Sequence, residues 1–296
     1  MNRLIKFLLL SWLLLVPLAH GEITTTDDTG AVVSLRRPVT RIISLSPHIT
    51  ELLFASGAGK LIVGTVDYSD FPKAAKHIRR IGGYNALDLE AITALKPDLI
   101  VGWASGNPQV QLDQLRKLGF HIFLSEPRHL LHIADTIEQL GLLAGTEKTA
   151  LDTAKQFRRE YNALHKKYQG RSKVRVFYEV WNHPLMTING EQIISDIIRE
   201  CGGENIFAKL PALTPLVSTE AVLQANPEVI IASSENNKRP PLLDEWKRWT
   251  ALLAVQRDNL FYVPADWISR PTPRILKGME AVCEILDQAR QHANAW

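Results

Sequence analysis

Residues 89–103, LEAITALKPDLIVGW, read as a short helix, a proline turn and a strand that is apolar on both faces. The same grammar returns at 219–233, TEAVLQANPEVIIAS, with an acid in second place, Glu90 and then Glu220, and a proline before each β-branched run. A strand without alternation belongs to a parallel sheet covered by helices on both sides. Two copies of the unit, 130 positions apart, predict two such sheets at equivalent places in a duplicated architecture.

The flanking segments extend this reading. RIISLSPHITELLFASGAG (41–59) passes from a strand, Ile42 to Leu45, through Ser46 and Pro47 into a helix that ends at Gly57 and Gly59. LIVGTV (61–66) and FHIFLS (120–125) are further strands, with QVQLDQLRKLG (109–119) a helix between them. Ahead of all this, ITTTDDTGAVVSL (23–35) predicts a hairpin turning at Asp28, Thr29 and Gly30. Residues 146–169 contain no proline, open with Thr and Glu and close with two lysines, which predicts one helix. At 1.5 Å per residue it is more than about 30 Å long. Strand and helix then alternate again through VRVFYEV, QIISDIIRECGG, the second copy, LFYVP and PRILKGMEAVCEILDQAR. The predicted fold class is α/β, with two Rossmann-like lobes, 22–145 and 170–296, joined by a single long backbone helix at 146–169. A ligand cleft is expected between the lobes. A continuous helix resists bending, so the expected closing motion is small.

The first 21 residues have the form of a signal peptide. Arg3 and Lys6 precede an apolar run from Phe7 to Ala19, and Ala19 and Gly21 offer small residues for cleavage. Export to the periplasm is the expectation. Without the leader, 32 Lys and Arg face 31 Asp and Glu, a balance that argues against a nucleic-acid partner. Cys201 and Cys283 are the only cysteines, and an oxidising compartment allows them to pair. Two buried free thiols are the alternative. Neither cysteine has the neighbours of a zinc site.

Chemistry-bearing residues gather where strands give way to loops, the place where open parallel sheets hold ligands. Tyr68, Tyr84, Trp103 and Trp181 stand there, as do Asp266, Trp267 and Arg270. Aromatic side chains at such positions offer wide contact area at small entropic cost. No catalytic signature accompanies them: the chain lacks G-x-S-x-G, H-E-x-x-H and a phosphate loop. His129 and His132, downstream of Glu126, have the spacing of metal ligands on one helical turn but read better as a solvated helix start. His48, after Pro47, is the histidine placed to face a cleft.

Together, RIISLSPHITELLFASGAG, DYSDFP, LEAITALKPDLIVGW, CGGENIF, VSTEAVL and ADWISRPTPRIL resemble the periplasmic cobalamin-binding proteins of ABC importers. More broadly, they resemble the helical-backbone (class III) substrate-binding proteins that also serve siderophores and haem. The resemblance covers about residues 41–290. It implies a monomeric carrier that binds a corrinoid without altering it, needs no cofactor or metal of its own and delivers it to a permease dimer with its ATPase. It also implies a ligand site of Tyr68, Tyr84 and Trp103 from the first lobe and Asp266, Trp267, Ile268, Ser269 and Arg270 from the second. Pro47, His48, Trp181 and Met186 complete the expected site. Glu90 and Glu220 match the two acids that dock on permease arginines, and Cys201 and Cys283 match the family's disulfide. Tyr84 and Thr214 stand where the cobalamin carriers place tryptophans, and Trp181 and Met186 where they use phenylalanine, which implies a less aromatic pocket. The alternatives are a haem or ferric-siderophore carrier, with Tyr68, Tyr84 or His48 aimed at the metal, and an exported chelatase-like enzyme using His48 with Asp266.

Overall fold

The computed structural model describes residues 22–234 and 238–294. The signal-peptide expectation for residues 1–21 lies outside them. The chain opens with the predicted hairpin, β1 (Ile23–Thr26) against β2 (Val32–Leu35), Ile23 opposite Leu35. Asp27 shapes its turn by accepting from the amides of Thr29 and Ala31, and its second oxygen accepts from Leu124, which fastens the hairpin to the first lobe.

Lobe 1 is built from β3 (Ile42–Ser44), α1 (Pro47–Ala55), β4 (Ile62–Thr65), the small hairpin β5 (Gly82–Gly83) and β6 (Ala86–Leu87), α2 (Leu89–Ala94), β7 (Leu99–Trp103), α3 (Gln109–Lys117) and β8 (Ile122–Ser125). Its sheet is wholly parallel with the order β4-β3-β7-β8. Two antiparallel helices follow, α4 (Leu130–Ala144) and α5 (Glu147–Tyr168). Lobe 2 repeats the plan with β9 (Val174–Glu179), the hairpin β10 (Trp181–Asn182) and β11 (Leu185–Met186), α6 (Ile193–Glu200), β12 (Gly203–Asn205), α7 (Thr219–Ala225) and β13 (Val229–Ser234). Then come α8 (Leu242–Glu245), α9 (Leu253–Gln256), β14 (Leu260–Pro264), α10 (Ala265–Ile268) and the closing helix α11 (Ile275–Asn294). The second sheet, β12-β9-β13-β14, is also parallel and has the same connectivity as the first.

The recurrence in sequence is a recurrence in structure. Each copy's helix starts on a side-chain cap, with Asp88 accepting from Ala91 and Ser218 from Ala221. Each ends at a residue with positive φ before the proline, Lys96 at 46° and Asn226 at 45°. The acid after that proline then grips the start of the neighbouring strand. Asp98 accepts from the amides of Thr40 and Arg41, and Glu228 from the amide of Arg175. Arg41 and Arg175 in turn donate to the carbonyls left over at the helix ends, Leu95 in one lobe and Ala225 and Asn226 in the other. Arginine and acid together lock helix, turn and two strands into one unit, twice.

Helix α5, 22 residues and about 33 Å long, matches the predicted linker. Glu147 in its first turn and His165, Lys166 and Lys167 in its last suit the helix dipole. The join is wider than one helix, because α4 packs along α5 so closely that a Cβ on Gly141 would meet that of Ala150 at 2.2 Å. A continuous buried core runs from Ile42 and Leu52 through Ile137, Ala150 and Phe157 into Val176, Ile197 and Val282. Cys201 and Cys283 form a disulfide that ties the end of α6 to α11.

Candidate ligand cleft

Parallel strands of both sheets deliver their carboxyl ends to the space between the lobes. From lobe 1, Trp103 ends β7 and lies half-buried, its ring centre 5.3 Å from that of His48 in an edge-on contact and 5.8 Å from that of Tyr84 at a tilt of 45°. The site needs Gly106 behind the indole, because a Cβ there would fall 1.9 Å from the Trp103 ring. Asn107 secures the loop by accepting from the Trp103 amide and donating to the carbonyls of Leu45 and Tyr84. From lobe 2 comes the loop after β14, opposite the loop after β8. A narrow cavity of about 40 Å³ between them is lined by Trp103, Glu126, Arg128, Leu213, Ser269 and Pro271, among others.

Helix α1 points its first turn at this space, with Pro47 preset for the first helical position. His48 is buried, its Nδ1 is 2.7 Å from the Ser46 hydroxyl, and its Nε2 has no partner among the described residues. Burial, and then the neighbouring Arg270, push its pKa down to about 3, so the ring is neutral at ordinary pH.

An ion network crosses the cleft. Glu51 of α1, its side chain 3% exposed, receives Arg270 at 3.0 Å and a two-point contact from Arg274 at 2.9 and 2.5 Å. Arg270 also reaches Asp70 at 3.1 Å, Asp266 at 3.1 Å and the Tyr68 carbonyl at 3.4 Å. Burial works against the charge of Arg270, yet Glu51, Asp266 and Asp70 hold its pKa above the usual arginine value. The Arg274 guanidinium lies 4.2 Å from the centre of the Phe71 ring. A second crossing lies at His129, whose Nδ1 is 3.3 Å from Asp196, while the Leu130 amide donates to the same carboxylate at 2.8 Å. His129 and His132 do form an exposed helix start, as their sequence suggested, and His129, at the N-cap position of α4, adds this contact to the second lobe.

Of the expected site residues, Pro47, His48, Tyr68, Tyr84, Trp103, Asp266, Ser269 and Arg270 lie around this cleft. Tyr68 is 77% exposed and held at a φ of 61°, a conformation that costs a non-glycine residue energy. Ile268 is a correction. As the last residue of the short helix α10 it points into lobe 2 and is fully buried in the core. Trp267 has the ammonium of Lys277 near its ring, and Trp181 and Met186 face each other in the β10-β11 hairpin, with Met186 bridged to Leu216. Glu51, Asp70 and Arg274 are cleft residues that the sequence reading missed. Their signal was faint, since an acid in a helix and an arginine after proline are common surface patterns.

Glu90 and Glu220 are both exposed, and both are the second residue of their helix, α2 and α7, each leading into the third strand of its sheet. Neither carboxylate joins an ion pair among the described residues. A separate cavity of about 260 Å³ lies within lobe 2, lined by Glu179, Asn182, His183, Trp246, Arg248 and Trp249, among others.

The model of the periplasmic binding protein family matches residues 42–267. The chain belongs to that family. Among relatives of this periplasmic binding protein is the vitamin B12-binding protein of Vibrio vulnificus (strain CMCP6), 37% identical over 248 residues, which cover 83% of this chain and 90% of the relative. The crystal structure of the periplasmic vitamin B12 binding protein BtuF of Vibrio cholerae superposes with a TM-score of 0.80 at 38% identity, covering 86% of this chain and 98% of that one. The periplasmic heme-binding protein RhuT from Roseiflexus sp. RS-1 shares the fold, with a TM-score of 0.70 at 21% identity over 84% of this chain and 98% of its own. Among the described residues no helix is long and apolar enough to cross a membrane.

Proposed function

We propose that this binding protein is exported to the periplasm, holds cobalamin or a related corrinoid between its lobes and passes it unaltered to an ABC importer. The observation that carries this reading is the Trp103 ring, flanked by His48 and Tyr84, facing Ser269 and Pro271 across one cleft beside the Arg270 ion network. Relatives named for vitamin B12 binding, at more than a third identity over most of the chain, support the choice of ligand. Aromatic faces suit a broad flat macrocycle, and polar groups at the rim suit its amide side chains. The enclosed part of the cleft is small, so a corrinoid lies across its mouth, with Tyr68 at the edge.

Calorimetric titration with cyanocobalamin, haemin and a ferric siderophore tests the ligand. One-to-one binding of cyanocobalamin, tighter than either competitor, is the expected result. Preference for haemin or the siderophore, or chemical conversion of the ligand, would replace the reading.

The exposed pair Glu90 and Glu220 forms the docking pegs, one per lobe, for arginines on the two halves of a permease dimer. Replacing both with alanine is expected to leave cyanocobalamin affinity unchanged while lowering uptake in a transport assay. Full uptake by the double variant would remove the docking role.

A further inference from the structure

An arginine in a ligand cleft is ordinarily a carboxylate receptor, because its planar fork matches two carboxylate oxygens. Arg270 is occupied by the protein's own acids. Its Nη1 serves Glu51 at 3.0 Å and Asp70 at 3.1 Å, and its Nη2 serves Asp266 at 3.1 Å and the Tyr68 carbonyl at 3.4 Å. Arg274 is spent in the same way on Glu51 through Nε and Nη2, with its Nη1 3.7 Å from Asp266. Two cations face three anions, so the cluster carries a formal excess of one negative charge. The excess also has a direction. Glu51 is sealed beneath the arginines, each of which is 16% exposed, whereas Asp70 and Asp266 have half-exposed side chains. An arriving ligand meets carboxylates before it meets guanidinium.

We propose that Glu51, Asp70 and Asp266 shield Arg270 and so make the cleft select an uncharged, amide-bearing ligand over a carboxylate-bearing one. The inference rests on the corrinoid reading above and deepens it. A primary amide donates N–H to the free lone pairs of Asp70 and Asp266. A carboxylate in the same place has nothing to donate and is repelled, so one pair of residues supplies both the attractive and the excluding part of specificity.

Matched ligands test this: cyanocobalamin and its separate monocarboxylates, in each of which one side-chain amide is hydrolysed. In the wild-type protein at least one monocarboxylate should bind about tenfold or more weaker than the parent, as like-charge contact predicts. In Asp70→Asn with Asp266→Asn, two half-exposed sites whose change spares the core, that ratio should fall to within about threefold, because neutral amides no longer repel the acid. A merely structural role would weaken parent and acid alike and leave the ratio where it was. Equal binding of every monocarboxylate by the wild type, or an unchanged ratio in the double variant, overturns the inference. Should the wild type not bind cyanocobalamin at all, the corrinoid reading fails, and haemin, a dicarboxylate, still decides the charge claim. Tighter haemin binding by the double variant upholds it, and equal binding overturns it.

Discussion

Burial pushes the pKa of the Glu179 carboxyl up to about 7, helped by nearby Glu245 and opposed by the indole N–H that Trp246 donates to it at 2.8 Å. Between about pH 4.5 and 7 the unfolded chain releases this proton before the folded one does. The contribution to stability is therefore complete below pH 4.5 and lost as the pH rises through 7. Glu179→Gln keeps an oxygen for Trp246 and removes the titration. Its melting temperature should match the wild type at pH 4 and exceed it at pH 8, a relative stabilisation of about 3 kcal/mol. Parallel melting curves across that range would show that Glu179 does not titrate there. His48 has the opposite sign. With its pKa lowered to about 3, it stabilises the fold above pH 6.5 and withdraws that support as the pH falls. His48→Gln should accordingly flatten the acid side of the stability profile, measured against the wild type at each pH. Neither shift was legible in sequence, since burial of a single carboxyl or ring depends on neighbours such as Trp246 and Arg270 that lie far along the chain.

Among the elements, the strands and helices were legible because their apolar runs and stop signals are local. Helix α5 runs from Glu147 to Tyr168, within the 146–169 read from its lack of proline. The duplication was legible from the acid, the proline and the apolar run of each copy. The arginine anchors Arg41 and Arg175 were not, because no periodic pattern marks a residue whose value lies in reaching a helix end across the sheet. The same holds for Gly106, whose missing side chain makes room for Trp103. Gly106→Ala must displace the indole from His48 and Tyr84. It is expected to weaken ligand binding by about tenfold and to lower the melting temperature as well, since the displaced indole also packs against the edge of the core. Unaltered affinity would remove Trp103 from the ligand surface. Between α4 and α5, Gly141→Ala places a methyl against Ala150 at 2.2 Å, and its overpacking should cost about 1–3 kcal/mol in a urea titration.

For the whole molecule, two lobes on one continuous core are expected to behave as a stiff clamp. The Cys201–Cys283 bond closes a separation of 82 residues, and replacing both with alanine should cost about 4 to 5 kcal/mol in the chain-entropy model, read from chemical denaturation. Its pairing was expected from the family resemblance and is present in the structure, whereas Arg270 was legible as a cleft residue but its partners Glu51 and Arg274, and the contact of Asp196, were not. Those contacts, with the paired helices α4 and α5, predict that scattering profiles with and without ligand differ little, and closure through tens of degrees would contradict the stiffness argued here. The question of where and how the ligand sits decides the rest. A crystal structure of the protein soaked or grown with cyanocobalamin answers it directly. The corrin ring is expected between Trp103 and the segment Asp266–Arg270, with an amide side chain donating to Asp70 or Asp266. A corrinoid lodged in the lobe 2 cavity beside Trp246, or absent from the cleft altogether, would contradict it.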